Sequence, residues 1–262
     1  MYFADFVTFA ASGFHSILVN RYGSVWSAGF NGYGQLGDGS NIDRNSFVQV
    51  ISSGAKAVGS NGYHSMMLKE DGSVWTTGWN EYGQLGDGTG TNKNQFVKVI
   101  SNGVKAVAAG VYHSMALDQD CSVWVTGWNY DGQLGDDSKT VRRNFVRVIS
   151  SGAKVVAAGI SHSMVLHEDG SVWATGWNLY GQLGDGSKVD NPGFVQAIFD
   201  SVETIAAGAF HSMVIKQDGT FWATGSNEHG QFGDGTTKSQ KAFVQLALFD
   251  DGLAHNTINT HV

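Results

Sequence analysis

His113-Ser-Met-Ala-Leu-Asp-Gln-Asp-Cys-Ser-Val-Trp124, followed by Gly132-Gln-Leu-Gly-Asp136, is the stretch that decides the fold. The same text, lightly altered, occurs four more times. His15, His64, His113, His162 and His211 stand 49 residues apart, and so do Trp26, Trp75, Trp124, Trp173 and Trp222. Gln35, Gln84, Gln133, Gln182 and Gln231 keep the same step, each within Gly-Gln-Leu/Phe-Gly-Asp. A fixed period of this length marks one supersecondary unit copied in tandem, whose copies stack to bury a shared core. Five units of 49 residues take up nearly the whole chain of 262 residues, which predicts one repeat domain over 1–249 and a C-terminal tail over 250–262.

Within the third unit, 105–109 reads as a short apolar strand, and 113–117 alternates with the period of two of a half-buried strand. Residues 118–121 form a hairpin turn, written Glu-Asp-Gly in the second and fourth units, a signal for the primed turn types. Residues 122–126 return as a third strand, a polar loop runs from Asn129 to Asn144, and 145–149 is the fourth strand. Residues 1–12 are apolar but short and without a basic n-region, so they read as the first strand rather than a signal peptide. The prediction is an all-β chain, a β-propeller of four-stranded antiparallel blades with one blade per repeat. A closed five-bladed ring is expected ahead of an open arc of a seven-bladed type, because an arc leaves two apolar blade faces uncovered. An offset frame, in which Phe243–Leu248 completes the first blade, is the way such a ring would latch.

Composition narrows the function classes. Hydrophobic content of 42% with 12% aromatic supports a real core, and 36 Gly against a single Pro, Pro192, fits many tight hairpins. Net charge of −7 with only 16 Lys and Arg weighs against a nucleic-acid binder. No stretch is long enough to span a membrane, so a soluble intracellular protein is expected, the compartment otherwise open. Cys121 is the one cysteine, which excludes an internal disulfide and a thiolate metal site. It fills the slot of Gly23, Gly72, Gly170 and Gly219 and reads as drift at a turn, with no basic or His neighbour apparent in sequence.

Taken together, His-Ser-Met-x-Leu, Asp-Gly-Ser-Val-Trp, Gly-x-Asn-x-x-Gly-Gln-Leu-Gly-Asp-Gly and Phe-Val-x-Val resemble the regulator of chromosome condensation repeat, from residue 6 to about 248 and in all five units. The resemblance implies a propeller, usually of seven blades. It also implies a range of roles: the exchange factor for the small GTPase Ran, a plant UV-B photoreceptor, and domains of giant ubiquitin ligases belong to that family. The exchange factor carries a basic N-terminal tail and an inserted wedge, and this chain shows neither, so none of its exchange residues can be placed here. The photoreceptor's chromophore slot, two positions before the repeating His, holds Gly13, Gly62, Val111, Ile160 and Ala209 rather than tryptophan.

Candidate chemistry is sparse. The five histidines are spread around an axis, one per unit, and read as buried groups hydrogen-bonded to backbone rather than metal ligands. His-Ser neighbours on a strand point to opposite faces and make no catalytic triad. Asp38, Asp87, Asp136, Asp185 and Asp234 read as loop caps; Asp185-Gly-Ser-Lys-Val-Asp190 lacks the alternating ligands of a calcium loop. No enzyme activity, cofactor or metal is expected. Five variable loops follow the Gly-Asp motifs and hold half of the 16 basic residues: Arg44, Lys93, Lys139, Arg142, Arg143, Lys188, Lys238 and Lys241. The functional expectation is a non-enzymatic scaffold, monomer or dimer, that binds a protein partner, an acidic surface or a small GTPase, through these loops. A guanine-nucleotide exchange factor is the first alternative. A propeller lectin is the second, disfavoured because the variable loops differ between units and carry no aromatic platform.

Overall fold

The computed structural model describes residues 6–247, so the expected tail 250–262 and its boundary lie outside the described residues. The first blade is built from β1 (Phe6–Ala11), β2 (His15–Asn20), β3 (Val25–Gly29) and β4 (Arg44–Ile51). The second holds β5 (Ala55–Ser60), β6 (His64–Lys69), β7 (Val74–Gly78) and β8 (Lys93–Ile100), the third β9 (Val104–Ala109), β10 (His113–Asp118), β11 (Val123–Gly127) and β12 (Arg142–Ile149). The fourth comprises β13 (Ala153–Ala158), β14 (His162–His167), β15 (Val172–Gly176) and β16 (Asn191–Ile198), the fifth β17 (Val202–Ala207), β18 (His211–Lys216), β19 (Phe221–Gly225) and β20 (Gln240–Gln245). Each blade is an antiparallel meander in sequence order, one per repeat. The offset frame is excluded: β20 pairs with β19, and the first blade already has its own four strands.

Alternation along the second strand sets the register, with His113 opposite Gly127 and Leu117 opposite Val123. The hairpin that follows is not of the primed type expected from Asp-Gly. In the second blade Gly72 N donates to the Lys69 carbonyl at 3.0 Å and Lys69 N to the Ser73 carbonyl at 2.9 Å. That is a three-residue loop, a type I turn closed by a residue in the left-handed region, and Gly72 has φ of 76°. Cys121 holds the same conformation at φ of 65°, although it carries a side chain.

The core lies between blades rather than within them. Met115, Leu117, Val125 and Leu134 of the third blade pack against Ala153, Val156 and Val165 of the fourth, all buried. Trp75 packs against the buried cluster that Ile17, Val19, Met67 and Phe96 form at the first junction, while its indole N–H donates to Ser73 Oγ at 3.0 Å. In blades two to five a phenylalanine of the fourth strand covers a glycine of the previous blade: Phe96 over Gly37, Phe145 over Gly86, Phe194 over Gly135 and Phe243 over Gly184. These contacts make four junctions, first to second through fourth to fifth.

The closed ring expected from the sequence is not confirmed. Phe96 is 9% exposed at its junction, whereas Phe47, in the same slot of the first blade, is 45% exposed, and Phe9 on β1 is 73% exposed. At the other end, Gly233 of the fifth blade has open space where its counterparts meet a phenylalanine ring.

Candidate functional site

At every junction the repeating histidine reaches across to the next blade. His15 Nε2 lies 2.7 Å from Ser65 Oγ, His64 Nε2 2.8 Å from Ser114 Oγ, His113 Nε2 2.8 Å from Ser163 Oγ and His162 Nε2 3.0 Å from Ser212 Oγ. Each serine in turn donates its only proton to the carbonyl of the previous blade's glutamine, as Ser163 does to Gln133 at 2.7 Å. The hydroxyl must therefore accept from the imidazole, which assigns the neutral tautomer with hydrogen on Nε2. The expected histidine partner, backbone, is corrected here: a serine hydroxyl of the adjacent blade takes that place, because the His and Ser of one unit face opposite neighbours.

Burial holds these rings neutral. Desolvation depresses His64, His113 and His162 to about 3, with neighbouring histidines adding to the effect on each, and His15 to about 4. The Nδ1 atoms of His64, His113 and His162 have no protein partner. With Nε2 committed to serine, the set serves as blade-to-blade staples. We expect His113→Ala to cost about 1–3 kcal/mol by leaving Ser163 and its surroundings unsatisfied. A denaturation double-mutant cycle with Ser163→Ala is expected to show a coupling of about 0.5 kcal/mol or more; strict additivity would refute the staple.

The loops after each third strand gather on one end of the molecule, the loop face. Each is pinned by an asparagine and the repeating aspartate. In the first blade Asn31 Nδ2 donates to Asp38 Oδ1 at 3.0 Å, and Ser40 N and Oγ donate to the same oxygen at 2.9 and 2.8 Å. The aspartate also captures a predicted binding residue: Arg44–Asp38 and Arg142–Asp136 pairs close at 2.7 Å, and Lys93–Asp87 at 3.3 Å. Burial alone would raise the Asp38 carboxyl, but hydrogen bonds from Ser40, Arg44 and Asn31 outweigh it and leave it below the usual range. Arg44, Lys93 and Arg142 thus serve their own loops. Lys139, Arg143, Lys188 and Lys241 are exposed and make no ion pair with a described residue.

The same face carries a feature that the loop-by-loop reading missed. Phe14 stacks on Tyr63 with centroids 5.0 Å apart and rings 13° from parallel. The contact then runs on from Tyr63 to Trp79 at 5.9 Å, Trp79 to Tyr82 at 5.2 Å, Tyr82 to Trp128 at 4.3 Å and Trp128 to Tyr130 at 4.3 Å. This band crosses three blades, and Trp177, Tyr180 and Phe210 form a second group across the fourth and fifth. Two openings border it. A cleft of about 660 Å³ at the junction of blades two and three brings Tyr82 and Tyr130 together with Glu81 and Arg143. A basin of about 610 Å³ at the centre is lined by all five blades, Phe14, Tyr63, Tyr112 and Ile160 among them, and by no charged residue. The absence of an aromatic platform, used against a lectin, holds for the variable loops but not for this rim.

Cys121 also differs from expectation. Lys105 Nζ lies 3.0 Å from its sulfur and Glu168 Oε1 3.2 Å, neighbours brought in by the adjoining strand and the next blade. Among the described residues no group of three or more His, Cys, Asp or Glu is arranged to hold a metal, and no helix is long and apolar enough to cross a membrane.

Five four-stranded blades packed face to face define a β-propeller. The chain belongs to the RCC1-like domain family, which it matches over residues 3–258. Solved structures agree on the fold. Human WBSCR16 superposes with a TM-score of 0.83 at 20% identity, covering 94% of this chain and 67% of that one. Prp20p from Saccharomyces cerevisiae, described with its binding properties to Gsp1p and histones, gives a TM-score of 0.74 at 22% identity over 92% of this chain and 65% of its own. The CRINKLY WD40 ectodomain of the Arabidopsis thaliana receptor kinase ACR4 is more distant, at 0.52 and 13%, over 83% of this chain and 62% of that one. The chain therefore spans about two thirds of the length of these structures. No protein of curated function matches it.

Proposed function

We propose that this protein is a non-enzymatic scaffold that docks a protein partner on its loop face. The observation that carries the reading is the coincidence, on one end of the propeller, of a half-buried aromatic band, exposed at Phe14 and Tyr130, with basic side chains left without ion pairs, Lys139, Arg143, Lys188 and Lys241. Exposed rings and arginine are the side chains that dominate protein interfaces. The opposite end offers short hairpins. Cross-linking of the captured partner tests the placement: links are expected at Lys139, Lys188 and Lys241, and links confined to Lys56 and Lys154, near the hairpin end, would refute it.

A guanine-nucleotide exchange factor remains the second reading, favoured by the fold shared with Prp20p and its described binding to Gsp1p. Exchange on a panel of nucleotide-loaded small GTPases separates the two. Nucleic acid is not the expected partner. At about 0.15 M salt we expect no sequence-specific duplex binding, since the chain carries net charge −7 and Arg142 is already paired with Asp136. Nanomolar affinity for a defined duplex in a fluorescence titration would contradict this.

A further inference from the structure

Charge on the loop face is sorted by position within the repeat. The two positions that precede each repeating Gly-Gln are Gly32-Tyr33, Glu81-Tyr82, Tyr130-Asp131, Leu179-Tyr180 and Glu228-His229, three acids with no Lys or Arg. Tyr33, Tyr82, Tyr130 and Tyr180 among them belong to the aromatic groups, and Glu81 lines the cleft with Tyr82 and Tyr130. Lys139, Lys188 and Lys238 belong to the loops that precede the fourth strands, Lys241 lies on β20, and Arg143, on β12, lines the cleft with Glu81.

A second observation distinguishes the inner rings from the other tryptophans. Toward the hairpin end the chain covers its own rings with cations: Lys69 Nζ sits 4.6 Å from the Trp75 ring centroid and Lys216 Nζ 4.7 Å from that of Trp222. Among the described residues no Lys or Arg lies over a ring of the inner band. Aromatic faces carry negative quadrupole, and adjacent carboxylates deepen it. The inner rim thus has the electrostatics of a cation acceptor whose cation is not supplied by this chain.

We infer that the inner rim binds an extended, Lys- or Arg-bearing segment of a partner protein, its cationic side chains lying on Trp79, Tyr82 and Trp128 and an apolar side chain entering the central basin. The inference rests on the loop face being the docking surface and adds the chemistry of what docks there. Basin and rim are matched to such a segment: the uncharged, partly aromatic lining takes an aliphatic anchor, and Glu81 and Asp131 flank the cations.

The test uses a fluorescein-labelled peptide of alternating Arg and Leu, its citrulline analogue and its Glu analogue, titrated by anisotropy at about 0.15 M salt. The Arg peptide is expected to bind about tenfold more tightly than the citrulline one, a difference that isolates charge on the aromatic face. Trp79→Leu and Tyr82→Ala are each expected to weaken the Arg peptide about tenfold with the melting transition retained; Tyr82, partly exposed, serves if the tryptophan variant folds poorly. The hairpin-end reversal Lys56→Glu/Lys154→Glu is expected to leave that affinity intact, and the triple charge reversal Lys139→Glu/Lys188→Glu/Lys241→Glu is read by partner capture instead. Equal binding of Arg and citrulline peptides, no binding of either, or wild-type affinity in both aromatic variants would overturn the inference. So would binding of a chito-oligosaccharide on the same rings in place of peptide. If the Arg peptide fails while the triple charge reversal abolishes partner capture, this inference falls and the docking face stands. If neither change affects capture, the docking face itself is wrong.

Discussion

Thermal stability of this protein is expected to drop steeply as pH falls from about 6.5 to about 4.5. His64, His113 and His162 are held near 3 and His15 near 4, chiefly by burial, while the unfolded chain takes up protons near 6.5. A base whose folded pKa is depressed stabilises the fold fully above its unfolded value and loses that contribution as pH falls toward the folded one. Each such group gives up about 1.4 kcal/mol per pH unit in that window. Three fully buried rings together give on the order of 4 kcal/mol per unit, enough to exhaust the typical stability of a domain within about two to three units. Carboxylates with depressed values, Asp38, Asp87 and Asp136, begin to lose their contribution only below their ordinary value of 3.8. The upper window therefore belongs to the histidines. Scanning fluorimetry across pH reads it directly, and a transition that stays level down to pH 4.5 would contradict the buried, neutral assignment.

The second large effect comes from a pair of matched glycines. Gly135 has φ of 69° and Gly233 φ of 68°, so alanine meets the same left-handed backbone cost at either position, about 1–2 kcal/mol. Their surroundings differ. A methyl group on Gly135 would run into the Phe194 ring of the next blade, whereas one on Gly233 meets open space. Gly135→Ala is expected to add about 1–3 kcal/mol of overpacking on top of the backbone cost, lowering the melting temperature by about 10 °C. Gly233→Ala should show the backbone cost alone. Equal losses would mean that a ring covers Gly233 in solution. Phe47, exposed in the first blade, is the residue of this chain placed to do so, and the five-bladed ring would then be closed.

The fold was legible because each unit carries complete local information. Period-two strands, a turn and a fourth strand recur in frame, and the blades follow that frame without offset. What lay beyond reading is what forms between units. His113 and Ser114 look like a local pair, yet His113 meets Ser163, a residue 50 positions away, and only the stacking of blades reveals it. The aromatic band is similar. Phe14, Tyr63 and Tyr112 precede the repeating His, and Phe30, Trp79 and Trp128 follow the third strand, so the period was visible. Their merging into one surface required the curvature of the propeller. The basic loops failed for a nearer reason. Asp38 and Arg44 stand six residues apart, as do Asp136 and Arg142, a spacing that a tight loop turns into an ion pair. The turn type was misread because Asp-Gly suits both a two-residue primed turn and the last positions of a three-residue loop.

Whether the loop face is where this protein meets its partner is tested most directly by quantitative affinity capture from the native lysate with three baits. These are the wild type, the triple reversal Lys139→Glu/Lys188→Glu/Lys241→Glu, and a control reversal at the hairpin end, Lys56→Glu/Lys154→Glu. Capture of the wild-type partner is expected to fall at least about tenfold with the loop-face bait, in line with charge-complementary interfaces, and to persist with the control. Loss with the control bait and retention with the loop-face bait would place the docking site at the opposite end of the propeller.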